Sequence, residues 1–258
     1  MSSLNKSGRD PLEIILGYEN NFATFVIDPI YGQVGLTKQE VEVIRTEPFA
    51  RLRKIRQLGF ATNVYPSATH QRFEHCIGTL HITWTMLKRF AKNYYDQEGW
   101  KKRSVLNYLS KDEVIDALRL AALLHDLGHG PFSHALENIA KSFSVEFNHD
   151  DVTLYLLTYG IPFRDLSRLF SISSAVRIFK KERKRLVRLE KFRKILSDHI
   201  SPEKRQAILS ILNKKYEPKS KMPRGFSQIR FFLFDLLKED IGADRLDYLL
   251  RDTYFTGL

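Results

Sequence analysis

Three of the eight histidines of the chain, together with an aspartate, fall within the segment LLHDLGHGPFSH, residues 123–134. His125 and Asp126 are adjacent at the end of a predicted buried helix, so both side chains can turn towards one point beyond it. They offer a nitrogen and an oxygen ligand to a borderline divalent ion such as Fe, Mn, Zn or Co. For an isolated pair, the alternative is a capping histidine beside an ion-paired aspartate.

Two further segments favour the metal site over that alternative. His75 lies in RFEH (72–75), at the start of a long predicted helix, and Asp244 lies in GADRLDYLLRD (242–252) near the C-terminus. Two histidines and two carboxylates form a mixed ligand set with coordination positions left for water and a phosphoryl oxygen. A water on such an ion becomes a nucleophile near neutral pH. The residues alone predict a metal-dependent hydrolase of a phosphorylated substrate.

The elements that would position these residues are predominantly helical. Apolar side chains recur at helical spacing over 76–95, and residues 112–126 are apolar almost all round towards their end, as in a helix through a core. Residues 22–36 are the exception, because two β-prone runs flank Pro29 and Gly32 and predict a small hairpin. The predicted fold class is therefore all-α with a small N-terminal β-hairpin.

Local signals predict where several helices begin and end. Thr37 with Glu40, and Ser110 with Glu113, have the spacing of capping boxes, so each pair is expected to open a helix. The segment FARLRKIRQLG (49–59) is expected to form one helix that stops at its final glycine. Further helices are expected to start near residues 132, 148, 226 and 243.

Length and composition bound the class of protein. With 258 residues and 43% apolar side chains, the chain can bury a substantial core, and we expect one domain over 1–258. The first ten residues are polar, apolar runs are too short to span a bilayer, and Cys76 is the single cysteine. These features predict a reducing, cytoplasmic compartment and no membrane partner.

The formal net charge of +11 predicts anionic partners such as nucleotides or nucleic acid. Residues 177–194 are densely basic, and we interpret them first as a solvated helix with an apolar inner side. An electrostatic funnel for triphosphates or a surface for single-stranded nucleic acid is the alternative. The stretch lacks the evenly interleaved aromatics that base stacking uses, so nucleic-acid binding is left unassigned.

Five segments resemble, in order, the motifs of one known family. They are DPIYG (28–32), RLRKIRQLG (51–59), RFEH (72–75), HDLGHGPFSH (125–134) and GADRLDYLLRD (242–252). The set resembles the HD-domain phosphohydrolases, and more narrowly the branch of dGTPases and SAM-and-HD-domain deoxynucleotide triphosphohydrolases. The resemblance implies an HD-domain helical fold and is weakest over 160–230.

By this resemblance, four residues would hold the divalent ion: His75, His125, Asp126 and Asp244. The implied reaction is attack of metal-activated water on the α-phosphorus of a dNTP, which releases deoxynucleoside and tripolyphosphate, with Mg²⁺ accompanying the triphosphate. Two other functions remain open. One is an HD-type nucleotidase or phosphodiesterase acting on another nucleotide. The other is a nucleic-acid-binding regulatory protein with a non-catalytic metal site.

The resemblance places four more residues at the reacting phosphate. His129 and His134 would face the phosphates, where cationic or donor imidazoles suit the charge that develops on a phosphoryl group. His149 would be the catalytic histidine and Glu137 its acidic partner, because a carboxylate beside an imidazole orients it and favours its protonated form.

Substrate contacts are implied for Gln57, Leu58, Arg72, Arg245, Tyr248 and Asp252. Arg72 would contact phosphate, and Arg245 phosphate or sugar. Gln57 and Asp252 would hydrogen-bond the sugar 3′-hydroxyl, and Tyr248 would occupy the place of a ribose 2′-hydroxyl, which favours a deoxynucleotide. The alternative for residues 244–252 is a partly exposed helix with Asp–Arg pairs.

Regulated members of the family bind a guanine nucleotide as an activator near the hairpin. Where those members read the base with an acid and an amide, this chain has Arg45 and Ala50, whereas Arg51 and Arg53 match. We expect this region to keep its affinity for phosphate but not to recognise guanine. Activation by another nucleotide remains an alternative. A homo-oligomer is also expected. Family members continue well past Gly257, so their C-terminal lobe is expected to be short or absent here.

The remaining histidines receive no catalytic role. His81 lies on an apolar helical stripe and is expected in the core, whereas His199 is expected at a surface or turn. His70 is expected close to the predicted site, where it would contact the residues of the site and not the ion itself.

Overall fold

The computed structural model describes residues 10–98, 104–132, 134–142, 148–158, 183–216 and 225–258. The N-terminal elements are α1 (Pro11–Gly17), β1 (Phe22–Asp28), β2 (Gly32–Thr37), α2 (Lys38–Arg45) and α3 (Glu47–Ala50). Short 3-10 helices cover Tyr18–Asn21, Arg51–Lys54 and Gly59–Asn63. The later helices are α4 (Arg72–Glu98), α5 (Ser104–Leu109), α6 (Asp112–Leu124), α7 (His134–Ser142), α8 (His149–Leu157), α9 (Arg183–His199), α10 (Pro202–Leu212), α11 (Phe226–Lys238) and α12 (Ala243–Thr256). The all-α class with an N-terminal hairpin is confirmed.

The hairpin pairs β1 and β2 in antiparallel register, with Val26 opposite Val34 and Asp28 opposite Gly32. Val34 and Leu36 are buried, so β2 lies against the helices. Gly32 has a φ of 70°, a backbone conformation that residues other than glycine rarely adopt. Asp28, the last residue of β1, is buried beside this turn.

The core lies between α4, α6, α10 and α12. Helix α6 packs against both α4 and α10, and α12 packs against α4. Every residue of α6 from Ala117 to Leu124 is buried, as the sequence predicts for a central helix. No helix among the described residues has the length and apolar character needed to cross a membrane.

One predicted capping box is confirmed and the other is wrong. The Thr37 hydroxyl and the Glu40 carboxylate each accept the backbone N–H of the other residue. At α6 the N-cap is Lys111, and no side chain caps it. The N–H of Ser110 instead donates to the carbonyl of Leu106, because Ser110 still completes the last turn of α5.

The single helix predicted over 49–59 is also wrong, because it ends at Lys54. Ile55 is extended, and its carbonyl accepts the N–H of Arg72 at 2.9 Å. The N–H of Gln57 donates to the carbonyl of His70 at 3.1 Å. This pairing between distant segments overrides helix propensity and places Gln57 beside the start of α4.

Helix α9 covers part of the basic stretch. Phe192 is buried there, as expected of an inner side, whereas residues 177–182 and the side chains of 183–189 lie outside the described part of the chain. His81 differs from its prediction, because it is half-buried and stacks on Tyr31 with ring centroids 4.9 Å apart.

Candidate metal centre and active site

Three helices bring the predicted metal ligands to one point. His75 lies in the first turn of α4, His125 directly follows α6, and Asp244 lies in the first turn of α12. Nε2 of His75 lies 3.2 Å from Nε2 of His125 and 3.2 Å from Oδ1 of Asp244. The third distance, from His125 Nε2 to Asp244 Oδ1, is 3.4 Å. Atoms that share one ion at bonds of about 2.1 Å lie roughly 3.0 to 3.4 Å apart, so the spacing fits a common ion.

Asp126 lies at the same point. Its Oδ1 is 3.4 Å from Nε2 of His125, and its Oδ2 is 3.7 Å from Nε2 of His75. Oδ2 also accepts a hydrogen bond from Nη1 of Arg72, a side chain that is itself buried. The structure therefore brings all four predicted ligands together, and Arg72 pairs with one of them.

The partners of the two imidazole Nδ1 atoms fit a metal ion at Nε2. Nδ1 of His125 lies 2.8 Å from the carbonyl of Ala122, which only accepts, so this nitrogen carries a proton. Nδ1 of His75 lies 2.7 Å from Oδ2 of Asp247, whose pKa is lowered by His75 and Arg251 although burial raises it. With both Nδ1 atoms donating, the two Nε2 atoms face each other, and a cation between them satisfies both.

The electrostatics of the site also favour a cation. Burial lowers the pKa of His75, but the carboxylates of Asp244, Asp247 and Asp126 outweigh it and raise the pKa to about 10. Burial raises the pKa of Asp126, yet the neighbouring His125 ring and the Arg72 guanidinium hold it well below its ordinary value. The negative potential that would hold a proton on His75 equally attracts a divalent ion.

The turn after α6 is held by side chains from other elements. Arg51 donates from Nη1 to the carbonyl of His129 at 2.6 Å, and from Nη2 to the carbonyl of Leu127. Arg53 lies over the ring of Phe73, 3.3 Å from its centroid. Of the two arginines that match the activator site of the family, Arg51 therefore contacts the turn that carries the metal ligands.

Gly128 allows α8 to pack directly on this turn. The N–H of Gly128 donates to the Thr153 hydroxyl at 2.7 Å, and that hydroxyl donates to the carbonyl of His125 at 3.2 Å. A Cβ at Gly128 would collide with the backbone of His149 and Thr153. Glycine at this position therefore permits the close approach of the two backbones.

A second group of side chains lies beside the metal ligands. Nδ1 of His149 lies 2.7 Å from Oε1 of Glu137, and the His149 ring stacks on that of His129 with centroids 3.7 Å apart. Burial lowers the pKa of His129 to about 4, with Arg72 and His149 acting in the same direction and Asp126 opposing them. His129 is therefore a neutral imidazole near pH 7. It can act on a phosphoryl group as a hydrogen-bond donor but not as a cation. His134 begins α7, but its side chain lies outside the described residues.

Asp126, His129 and His149 also form a trio of potential metal ligands. The two imidazole rings are nearly parallel, at 15°. An ion bound to an imidazole lies close to the plane of the ring, and two parallel stacked planes share no such position. The two imidazoles therefore suit separate phosphoryl oxygens better than a second ion.

The two predicted sugar contacts meet at His70. Its carbonyl accepts the N–H of Gln57, and its Nε2 lies 2.8 Å from Oδ1 of Asp252. His70 is buried and stacks on Phe255, with ring centroids 4.7 Å apart. The ring thus fixes the Asp252 carboxylate, while the His70 backbone fixes the Gln57 segment.

The remaining predicted contacts are less tightly gathered. Tyr248 and Leu58 are half-buried, and Leu58 directly precedes the 3-10 helix at Gly59–Asn63. Arg245 is exposed, and its Nη1 lies 3.1 Å from Oδ1 of Asp240. In this conformation Arg245 points to that carboxylate instead of joining the metal ligands.

Asp247 and Arg251 lie at the site although neither was predicted there from the sequence. Both are completely buried, and Arg251 donates to Asp247 from Nε and Nη2 at 2.9 Å each. Their spacing of four residues, which places an acid and a base on one helical face, is the signal that could have identified them. Lys238 was also missed, and it pairs with Asp150 beside His149.

Comparison with known proteins identifies the family. The family model described as HD domain matches residues 72–249, so the chain belongs to the HD-domain family. It is 27% identical over 235 residues to the "Deoxynucleoside triphosphate triphosphohydrolase SAMHD1 homolog" of Dictyostelium discoideum, covering 89% of this chain and 36% of that protein. This similarity confirms the resemblance to the SAM-and-HD-domain branch.

Two further proteins are similar to this chain over most of its length. The chain is 32% identical over 240 residues to "Uncharacterized protein MG461 homolog" of Mycoplasma pneumoniae, covering 90% of this chain and 44% of that protein. The crystal structure of a hypothetical protein from Aquifex aeolicus superposes with a TM-score of 0.53 at 29% identity, covering 91% of this chain and 47% of that one. The chain thus spans less than half the length of these relatives.

Proposed function

We propose that this chain carries the catalytic centre of a metal-dependent dNTP triphosphohydrolase. The observation that carries the proposal is the convergence of His75, His125, Asp126 and Asp244 on one point. A divalent ion held there by these four side chains would supply a water acidic enough to attack phosphorus. The relative from Dictyostelium discoideum, described as a deoxynucleoside triphosphate triphosphohydrolase, supports the substrate class.

The chain's own residues would bind the phosphates and move a proton. Because Nδ1 of His149 faces Glu137, its Nε2 is the atom that can give a proton to the leaving oxygen. His129, neutral and stacked on His149, would donate a hydrogen bond to a phosphoryl oxygen. Arg72, held by Asp126, would place positive charge beside the same phosphate.

The sugar would be recognised from the other end of α12. Asp252, held by His70, and Gln57, whose backbone is held by His70, would bind the 3′-hydroxyl. Tyr248, one helical turn before Asp252, would exclude a 2′-hydroxyl. Recognition of this kind is selective because a substrate that lacks the hydroxyl cannot make this hydrogen bond to Asp252.

Product analysis tests this proposal. Purified protein with Mn²⁺ and Mg²⁺ would be incubated with each dNTP and each NTP, singly and mixed, and the products would be separated by ion exchange. Deoxynucleoside with intact tripolyphosphate is expected. Orthophosphate or a nucleoside monophosphate would instead support the alternative of another HD-type nucleotidase or phosphodiesterase. Turnover only in mixtures would identify a nucleotide activator.

Nucleic-acid binding without turnover is the remaining alternative. It predicts binding of single-stranded nucleic acid that weakens steeply with salt, and a bound metal that supports no hydrolysis of any nucleotide. The proposal further includes a homo-oligomer, which sedimentation of the purified chain would test.

A further inference from the structure

Buried charged groups connect the turn of the N-terminal hairpin to the metal ligand His75. Oδ2 of Asp28, the last residue of β1, lies 2.9 Å from Nη1 of Arg251 on α12. Arg251 holds both carboxylate oxygens of Asp247, and Oδ2 of Asp247 faces Nδ1 of His75 at 2.7 Å. These four residues, here called the hairpin–metal network, are at most 4% exposed.

The charge of this network suits a cation site better than it suits packing. Buried ion pairs contribute little net stability compared with apolar side chains of similar size. Asp28, Arg251 and Asp247 together carry one net negative charge next to His75. That negative charge attracts a cation to the opposite nitrogen of the His75 ring, where a divalent ion can replace a proton.

The surroundings leave the network little freedom. A Cβ at Gly78 of α4 would collide with the carboxylate of Asp247 and the guanidinium of Arg251. Tyr31, from the hairpin turn, lies on another side, with its ring centroid 5.7 Å from Cζ of Arg251. Movement of the hairpin turn therefore has to be transmitted to Arg251.

We propose that Asp28 is a positioning residue for the metal centre, so that the hairpin turn sets the metal affinity. Arg251 is shared between two carboxylates, which leaves Asp247 a strong acceptor for Nδ1–H of His75. That hydrogen bond orients the ring and makes its Nε2 a better metal ligand. Without the charge of Asp28, Arg251 would pair with Asp247 alone, and Asp247 would be a weaker acceptor for Nδ1–H of His75. His75 would then bind metal more weakly. The inference rests on the metal site of the proposed function and not on the identity of the substrate.

The substitution Asp28→Asn isolates this contact. Oδ1 of Asp28 accepts the N–H groups of Ile30 and Tyr31, at 2.8 and 3.2 Å, and so shapes the turn. An asparagine keeps that acceptor and replaces Oδ2 by an amide group that can only donate. The variant therefore loses the ion pair with Arg251 and retains the turn.

The substitution Glu40→Gln is the matched control. Glu40 accepts from Nε and Nη2 of Arg119, at 2.7 and 2.9 Å, and Arg119 also donates to the carbonyl of Gly35 in β2. This pair is as buried as the hairpin–metal network and supports the same hairpin. Its hydrogen bonds lead to the hairpin and to the start of α2, away from the metal ligands.

The experiment measures the dissociation constant for Mn²⁺ from the electron paramagnetic resonance of the free ion. The proteins are the wild type, Asp28→Asn, Glu40→Gln, Asp247→Asn and the variant with both aspartates replaced. We expect the constant to rise roughly 10- to 100-fold for Asp247→Asn and about fivefold for Asp28→Asn. Adding Asp28→Asn to Asp247→Asn should have no further effect, because the two act through one contact. Glu40→Gln should stay near the wild-type value.

An unchanged constant in Asp28→Asn would overturn the inference, as would an equal rise in Glu40→Gln or fully multiplicative effects in the double variant. Thermal unfolding of the metal-free proteins verifies that each variant folds. If Asp28→Asn does not, Arg251→Lys tests the same contact, since lysine keeps the charge but cannot hold two carboxylates in this geometry. Absence of Mn²⁺ binding by the wild type would instead overturn the proposed function itself.

Discussion

Oε1 of Glu137 lies 2.7 Å from Nδ1 of His149, and the same oxygen accepts the backbone N–H of His149 at 3.2 Å. Two bonds to one carboxylate fix both the ring and the first residue of α8. The ring of His129 covers one face of His149. His149 is thus oriented next to the metal ligands without being one of the four that converge.

Replacement of His149 by alanine should separate catalysis from metal binding. The variant is expected to retain Mn²⁺ and to lose about 10²- to 10⁴-fold in kcat, because a proton donor is removed and no ligand is. Metal content after gel filtration and the initial rate of tripolyphosphate release measure the two properties. His199→Ala, a half-buried histidine of α9, serves as control. Wild-type activity in His149→Ala would contradict its catalytic role.

Asp126→Ala is expected to abolish metal retention and turnover together. The substitution removes a ligand and leaves the buried guanidinium of Arg72 without this carboxylate. Metal analysis of the purified protein, followed by the product assay with excess Mn²⁺, provides the measurement. Asp240→Ala is the comparison, because that carboxylate is exposed and pairs with Arg245. Retention of the metal in Asp126→Ala would remove Asp126 from the ligand set.

Asp252→Ala should weaken recognition of the sugar and leave the metal unaffected. We expect KM for dNTPs to rise about tenfold, since one hydrogen bond to a charged group is lost. A 2′,3′-dideoxynucleotide makes the sharper test. The wild type should prefer the dNTP to this analogue, whereas the variant should keep only the smaller preference that Gln57 provides. An undiminished preference in Asp252→Ala would show that Asp252 does not bind the 3′-hydroxyl.

The metal-free protein should lose stability as the pH rises. The pKa of folded His75 is raised from about 6.5 in an unfolded chain to about 10. The folded protein therefore binds the proton more tightly, and this stabilisation is complete below pH 6.5 and lost as the pH passes through 10. Thermal unfolding of the metal-free wild type should show a Tm that falls between pH 7 and 10. A His75→Gln variant should show a smaller fall over the same range. Saturating Mn²⁺ should abolish the decline, because it replaces the proton.

Gly128→Ala should lower the free energy of unfolding by about 1–3 kcal/mol, because the new methyl group meets backbone atoms of α8 that cannot move aside alone. Gly17→Ala is the control, since its Cβ would meet only one side-chain atom, at 3.8 Å. Urea unfolding of both variants gives the comparison. Equal stability of the two variants would mean that α8 does not pack this closely on the turn.

The convergence of the predicted metal ligands followed from sequence because each lies at one end of a strongly patterned helix. His125 ends a helix that is apolar all round, and Asp244 begins one after a glycine. Local sequence signals gave wrong helix boundaries where two segments compete for the same backbone hydrogen-bonding groups. Ile55 and Gln57 pair with the segment before α4, and Ser110 completes the preceding helix, although both stretches carry helical patterns.

Residues that support the ligands were harder to identify, because their roles depend on contacts between distant segments. Asp247 appeared as one of several acids in a charged helix until its distance to His75 was known. His70 is separated from Asp252 by 182 positions, so no spacing rule connects them. Side-chain roles of this kind require the relative placement of α4 and α12.

Helix α12 carries both Asp244, at the metal centre, and Asp252, at the proposed sugar site. Eight residues of α-helix separate them by about 12 Å along the axis, and a continuous helix does not stretch. The two proposed sites therefore lie on one rigid helix, and loop movements cannot change the separation of Asp244 and Asp252. A nucleotide anchored by its sugar would present the phosphorus nearest to that sugar to the ion, whatever the length of its phosphate chain. Selection of the bond to be cleaved would then be a property of helix length.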